Sequence, residues 1–286
     1  MPNIYTPPNS ISLDKAMPAQ VRLGLQGFPG SGKTFAALTF PNPIVINIDR
    51  GLGAHIGRSD VIELPFYDTN YTKFLYPSEP ENIKEAVMAW LNKEAGKLTN
   101  EQTLVFDGLT GIESAYHSDW KKHPVISTRS GKVDDFSEWG LKIHYFNELT
   151  DKFCSLKCNV VFISHESEKK DKSGDYTGKI RPLMLGQFAD KLIGKYTDWF
   201  RQLAADKPNF NTISPQQIES IKTNWNMSLD EFKAMCNTFP RNTIYYWQTE
   251  SSDIFDGKCS SLVNFPRFIP ANYQSFIKYT RKTSTK

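Results

Sequence analysis

Three glycines, a lysine and a hydroxyl residue are set close together in Gly27-Phe28-Pro29-Gly30-Ser31-Gly32-Lys33-Thr34, a spacing suited to holding a polyphosphate. Gly27, Gly30 and Gly32 allow the backbone to curl so that successive N–H groups point inward at anionic oxygens. The Lys33 ammonium would bridge the β- and γ-phosphates of a nucleotide, and the Thr34 hydroxyl would ligate Mg²⁺. The pattern G-x-x-x-x-G-K-[ST] is short, so its setting matters: here it follows a β-type run at residues 21–26 and opens a helix whose positive end adds to the same point. The plainer alternative is a Gly-rich turn that happens to precede Lys-Thr.

Carboxylates complete such a site. Asp107 ends the apolar run of residues 103–106 and is placed to hold magnesium through its water shell. Asp49 ends the run of residues 44–48 and, in a parallel sheet, would project at the same carboxyl edge as the loop. It is the candidate for orienting or deprotonating an attacking water. His165 ends a further apolar run, residues 160–163, and could contact a γ-phosphate there. Asp49 could instead pair with Arg50, and His165 could simply cap its strand. Glu113 and Glu166 are reserve candidates.

These side chains need elements to carry them. Residues 1–20 read as an extended lead-in, with Pro2, Pro7, Pro8 and Pro18 preventing a long helix. The helix after the loop, residues 33–39, is cut short by Pro41 and Pro43. Residues 80–95 have helical periodicity, and Phe136, Trp139, Ile143, Phe146, Leu149 and Phe153 recur at three- and four-residue steps, predicting the core face of a long helix. A charged, Gly-containing loop is expected to about Arg181, then helix over residues 185–203. Residues 206–241 read as a polar helical insertion or subdomain. Residues 243–247 and the segment around Leu262 and Val263 read as late strands flanking an Asp256-Gly257 turn. The alternation predicts an α/β fold: a P-loop NTPase core with a mostly parallel, twisted sheet flanked by helices over residues 21–205, resumed by late strands and a basic tail over 242–286.

Composition is that of a globular chain, with 39% hydrophobic and 23% charged residues among 286. No apolar run is long enough to span a bilayer, so no membrane partner is expected. Cys154, Cys158, Cys236 and Cys259 show no paired metal-ligand spacing, which favours a reduced, cytoplasmic compartment. The net charge of +3 does not by itself point to nucleic acid. Its distribution says more: Lys258, Arg267, Lys278, Arg281, Lys282 and Lys286 face no acidic residue from Gly257 onward, and such a tail either follows a phosphate backbone or merely solubilises.

The order of these motifs resembles the phage nucleotide-binding proteins with a RecA-like ATPase core, a family that includes single-strand-annealing recombinases. The segments carrying the resemblance are residues 27–41 with the abbreviated helix, TLVFDGLT at 103–110, VVFISHE at 160–166 and RPLMLGQFADKL at 181–192. A weaker match is FPRFIPANY at 265–273. The resemblance implies ATP with Mg²⁺, single-stranded DNA as partner, self-association into a ring or filament, and a single-stranded-DNA-binding protein as a further partner; a phage-encoded chain would act in the host cytoplasm. It makes Asp49 the catalytic carboxylate, more usually Glu, and His165 a γ-phosphate sensor. It makes residues 121–132, with Lys121, Lys122, Arg129 and Lys132, a first DNA loop. Residues 166–179 become the second, with Lys169, Lys170, Lys172 and Lys179, Arg181 just beyond, and Tyr176 available to stack on a base. Lys258 is the candidate for a basic residue reaching a neighbouring subunit's γ-phosphate. The function so implied is ATP-dependent annealing or strand pairing in phage recombination. The alternatives are a nucleotide-binding regulatory or assembly protein with little turnover and a small-molecule P-loop kinase.

Overall fold

Residues 22–27, 43–47 and 103–107 are buried at every position, as strands covered on both faces must be. The computed structural model describes residues 20–64, 66, 83–122, 124–171, 173–184, 188–239, 241–260 and 265–280. Along them run β1 (Arg22–Gly27), α1 (Lys33–Ala37), β2 (Pro43–Asn47), β3 (Ile62–Glu63), α2 (Ile83–Lys93), β4 (Thr103–Asp107), α3 (Leu109–Lys122), α4 (Asp135–Ser155) and β5 (Asn159–Lys170). There follow β6 (Tyr176–Pro182), α5 (Phe188–Lys195), β7 (Asp198–Asp206), α6 (Pro215–Trp225), α7 (Leu229–Asn237), β8 (Thr243–Gln248), β9 (Lys258–Cys259), β10 (Phe268–Pro270) and α8 (Tyr273–Tyr279).

One sheet runs β10-β8-β7-β1-β5-β4-β2-β3, with β6 added to β5 and β9 to β7. From β7 to β3 every pairing is parallel, while β8 and β10 extend the sheet antiparallel. This is the expected α/β architecture of a P-loop NTPase. Side chains alternate between two cores, as the period of a strand requires. Ile44, Ile46, Leu104, Phe106, Val160 and Phe162 pack on one face, and Val45, Val105, Val161 and Ile163 on the other. Phe106 lies 4.8 Å from Phe162 and 5.1 Å from Phe153 between ring centres, so α4 is locked onto β4 and β5 by aromatic contact.

The segment at 206–241 forms two short helices, each started by a capping box: Ser214 with Gln217, and Ser228 with Glu231. Asn226, in the left-handed conformation, ends α6. Ile221, Trp225, Phe232, Cys236 and Phe239 form a third apolar cluster with Ile244 of β8, which fastens the helical pair to the sheet.

Several expectations are corrected. Residues 198–206 are a strand and not the end of a helix: the apolar steps of α5 continue by coincidence into Trp199 and Phe200, and β7 is held between β1 and β8. The charged stretch after His165 is a β-hairpin, because β5 runs on to Lys170 and pairs with β6. Lys121 and Lys122 belong to the last turn of α3; Arg129 and Lys132 lie between Ile126 and Val133, which bridge. Phe136 is 90% exposed, while Phe146, Leu149 and Phe153 are fully buried; over its first turns α4 buries Glu138 and Lys142 instead. The lead-in, Lys172, the strand expected around Leu262 and Val263, and Arg281, Lys282 and Lys286 lie outside the described residues.

Candidate functional site

The parallel register decides which side chains meet. Gly27 is level with His165, Ile163 with Asp107, and Asp107 with Asn47, so β1, β4 and β2 end at one edge, where β5 passes through His165. Immediately beyond β1 the chain turns through residues 28–32, with Ser31 N–H donating to the Phe28 carbonyl at 3.2 Å. Gly30 and Gly32 have φ of 77° and 83°, left-handed values open to glycine without strain. A Cβ on Gly32 would lie 2.5 Å from the Tyr245 ring, so that position is sterically closed as well.

Lys33 opens α1, which is only five residues long. So short a helix has little macrodipole, and anionic charge here must be met mainly by loop N–H groups and by Lys33 itself. The Lys33 ammonium donates to the carbonyls of Gly27 at 2.8 Å and Phe28 at 2.9 Å, and lies 3.5 Å from His165 Nδ1. Burial lowers its pKa to about 8, against the opposing pull of Asp107, Glu166 and Asp49. The Thr34 hydroxyl donates to Asp107 Oδ2 at 2.6 Å. Burial raises the Asp107 carboxyl to about 6; the Thr34 hydrogen bond opposes this, Asp49 adds to it, and Lys33 and His165 lower it.

Asp49 is held through its backbone. The N–H groups of Ile48 and Asp49 both donate to the Asp107 carbonyl, at 2.7 and 3.2 Å. Its Oδ2 lies 3.4 Å from His165 Nε2. His165 therefore stands between Lys33 and Asp49, and its own N–H donates to Thr110 Oγ1 at 3.3 Å. It does not cap a strand, since β5 continues through it. Glu166, next along, faces the other way into a buried double hydrogen bond with Arg201: Nε to Oε2 at 3.0 Å and Nη2 to Oε1 at 2.9 Å. Glu113 is paired with Lys142. Both reserve carboxylates are thus committed to structural ion pairs.

The cleft so formed has a volume of about 500 Å³ and is lined by Lys33, Thr34, Asp49, Asp107 and His165 at one end. Its residues fit a nucleotide with Mg²⁺. The buried Ser31 hydroxyl in the loop has no hydrogen-bond partner among the described residues. One carboxylate and one hydroxyl converge where the metal would sit, and Mg²⁺ commonly takes few protein ligands and fills its shell with phosphate oxygens and water.

The DNA candidates lie elsewhere. Lys169 pairs with Asp190 at 2.9 Å, Lys179 with Asp256 at 3.7 Å, and Arg181 with Asp190 at 4.0 Å, while the Lys170 ammonium sits 4.7 Å over the exposed Tyr176 ring. Lys258 does not line the cleft: it belongs to β9 rather than to a turn, and its Nζ donates to the Gly194 carbonyl at 3.1 Å. Sequence reasoning missed Phe35, His55, Phe239, Arg241 and Tyr245, which line the cleft's other end. The alternation through residues 243–247 was the available signal for Tyr245, since Thr243 and Tyr245 share the face turned to the cleft.

A glycine-rich loop between a buried parallel strand and a helix, with a lysine, a hydroxyl and a strand-end acid gathered at one sheet edge, defines a P-loop nucleotide-binding protein. The family model described as an AAA domain matches residues 19–199, and the chain belongs to that family. Membership implies nucleotide binding and, in general, ATPase activity. A search of curated proteins found no significant match. Among the described residues no helix is long and apolar enough to cross a membrane.

Proposed function

We propose that this chain hydrolyses ATP with Mg²⁺ and works as an oligomer on single-stranded DNA, promoting annealing or strand pairing in phage recombination. The observation that carries the ATPase part is the run of contacts Lys33–His165–Asp49 beside Thr34–Asp107. Lys33 rests on two neutral carbonyls, and phosphate oxygens are the stronger acceptors for its ammonium. Thr34 and Asp107 would hold the metal, which when bound would neutralise phosphate charge. Asp49 orients the attacking water and accepts its proton, while His165 fixes the Asp49 carboxylate.

The DNA part rests on the resemblance and on the β5–β6 hairpin: Lys169 and Lys170 lie on the strand that carries His165, and Lys179, Arg181 and the exposed Tyr176 lie on its partner β6. A base stacked on Tyr176 would be worth about 1–3 kcal/mol. Lys121, Lys122, Arg129 and Lys132 are proposed as a second stretch of phosphate contacts. Lys258, outside this chain's own cleft, is proposed to act in a neighbouring subunit's site.

The test is ATP hydrolysis with and without single-stranded DNA across a salt series. The proposal expects DNA to stimulate hydrolysis, and its binding to weaken steeply between about 50 and 200 mM salt. Hydrolysis indifferent to DNA, with no DNA binding, removes the recombination reading and leaves a nucleotide-binding regulator or a small-molecule kinase.

A further inference from the structure

The cleft does not stop at the phosphate loop. Beyond Gly32 it continues along a row of aromatic rings: Phe35 lies 5.9 Å from Tyr245 and 6.4 Å from His55 between ring centres, and Phe239 lies 6.2 Å from Tyr245. All four line the same cavity as Lys33 and Thr34. Phe35 is more than a third exposed, so its ring is open to a ligand entering this end of the cleft. Burial, with Arg58 nearby, holds the His55 imidazole below its ordinary pKa, so near neutrality it offers an uncharged ring.

The origin of these residues is informative. Phe35 and His55 fall within the family match at residues 19–199, whereas Phe239 and Tyr245 fall beyond it. Phe239 closes the helical pair α6–α7, and Tyr245 belongs to β8, the strand onto which that pair packs. Tyr245 also lies against Gly32 of the loop, so the strand that carries the inserted helical pair is seated against the phosphate site.

We propose that this aromatic recess is the nucleobase site, that it takes the purine of a nucleoside triphosphate by stacking, and that Phe239, Arg241, Thr243 and Tyr245 supply its outer wall. The reading rests on nucleotide binding at the phosphate loop and goes beyond it in assigning a role to the helical insertion. Stacking follows the area of the ring and depends little on its hydrogen-bonding edge. The site therefore favours purines over pyrimidines and separates ATP from GTP only weakly.

The experiment is calorimetric titration of the full chain with ATP, GTP, CTP and inorganic tripolyphosphate, each with Mg²⁺, repeated with Phe35→Leu and Tyr245→Leu. The wild-type chain should bind ATP about tenfold or more tighter than tripolyphosphate, with GTP close to ATP and CTP between. Each substitution should remove most of that margin, and Phe35→Leu should leave tripolyphosphate binding unchanged. Phe35 is partly exposed, so its variant remains informative should Tyr245→Leu lose its fold, which a melting curve reports. Equal affinity of the wild-type chain for ATP and tripolyphosphate, or variants that keep the full margin, overturns the base site while leaving the phosphate loop intact. Binding of neither compound overturns the nucleotide reading itself and this one with it.

Discussion

The phosphate end of the cleft and the β5–β6 hairpin are both rich in charge, and they treat it in opposite ways. In the cleft Lys33 and Asp107 are almost wholly buried and their proton affinities are displaced by burial, to about 8 and about 6. On the hairpin Lys169, Lys179 and Arg181 meet Asp190 and Asp256 in partly exposed pairs. Exposed pairs are worth only about 0–1 kcal/mol, so they are readily exchanged for another anion. Buried charge is held in one geometry at a cost in stability; surface charge is left available. The first arrangement suits positioning, the second suits a partner of variable sequence.

The sharpest way to break this contrast is at Lys33. Lys33→Ala should abolish ATP hydrolysis, a loss of at least roughly 10⁴-fold, measured as phosphate release. Asp49→Asn should lower kcat by about 10²- to 10⁴-fold with ATP affinity retained; a variant with wild-type kcat would remove Asp49 from the chemistry. Glu166→Gln leaves the buried Arg201 guanidinium without its carboxylate, for which a loss of about 3–5 kcal/mol is expected in denaturant unfolding.

Asp107 gives the opposite sign. Its carboxyl is raised in the folded state, so the stability that its protonated form contributes is fully present below the unfolded value of 3.8 and lost as pH rises through about 6. Without nucleotide or metal, Asp107→Asn should therefore be more stable than the wild type at pH 7.5, by up to about 3 kcal/mol. The two should converge near pH 4, and a difference independent of pH would contradict the burial argument. The smallest effect belongs to the hairpin. Each of Lys169→Ala, Lys170→Ala and Lys179→Ala should flatten the salt dependence of single-stranded DNA binding by roughly 0.7 in log–log slope, with hydrolysis in the absence of DNA unchanged.

What the sequence revealed follows the range of the interactions involved. The loop at residues 27–34 is a contiguous pattern, and Asp49, Asp107 and His165 each follow an apolar run, so a parallel sheet was enough to bring them together. β7 was hidden because its inward polar residues find partners far away in the chain: Arg201 on Glu166, Gln202 accepting from the Trp247 indole, and Asp198 accepting from the Ser260 N–H. Without those partners, Asp198, Arg201 and Gln202 read as the exposed face of a helix. The hairpin was hidden for the converse reason. Its outer half is solvated and polar, so no apolar alternation marks it as strand. Tyr245 was placed on a strand correctly, but its contact with Gly32 depends on the sheet order, which no local pattern encodes.

β5 passes without interruption from the core, through His165, into the solvated hairpin. Mechanically this makes it one beam with its fulcrum at the sheet edge. Neighbouring residues on a strand face opposite ways, so sliding the beam by one residue would send Glu166 toward Lys33 and His165 toward Arg201. The Glu166–Arg201 clasp resists that slide at the fulcrum itself.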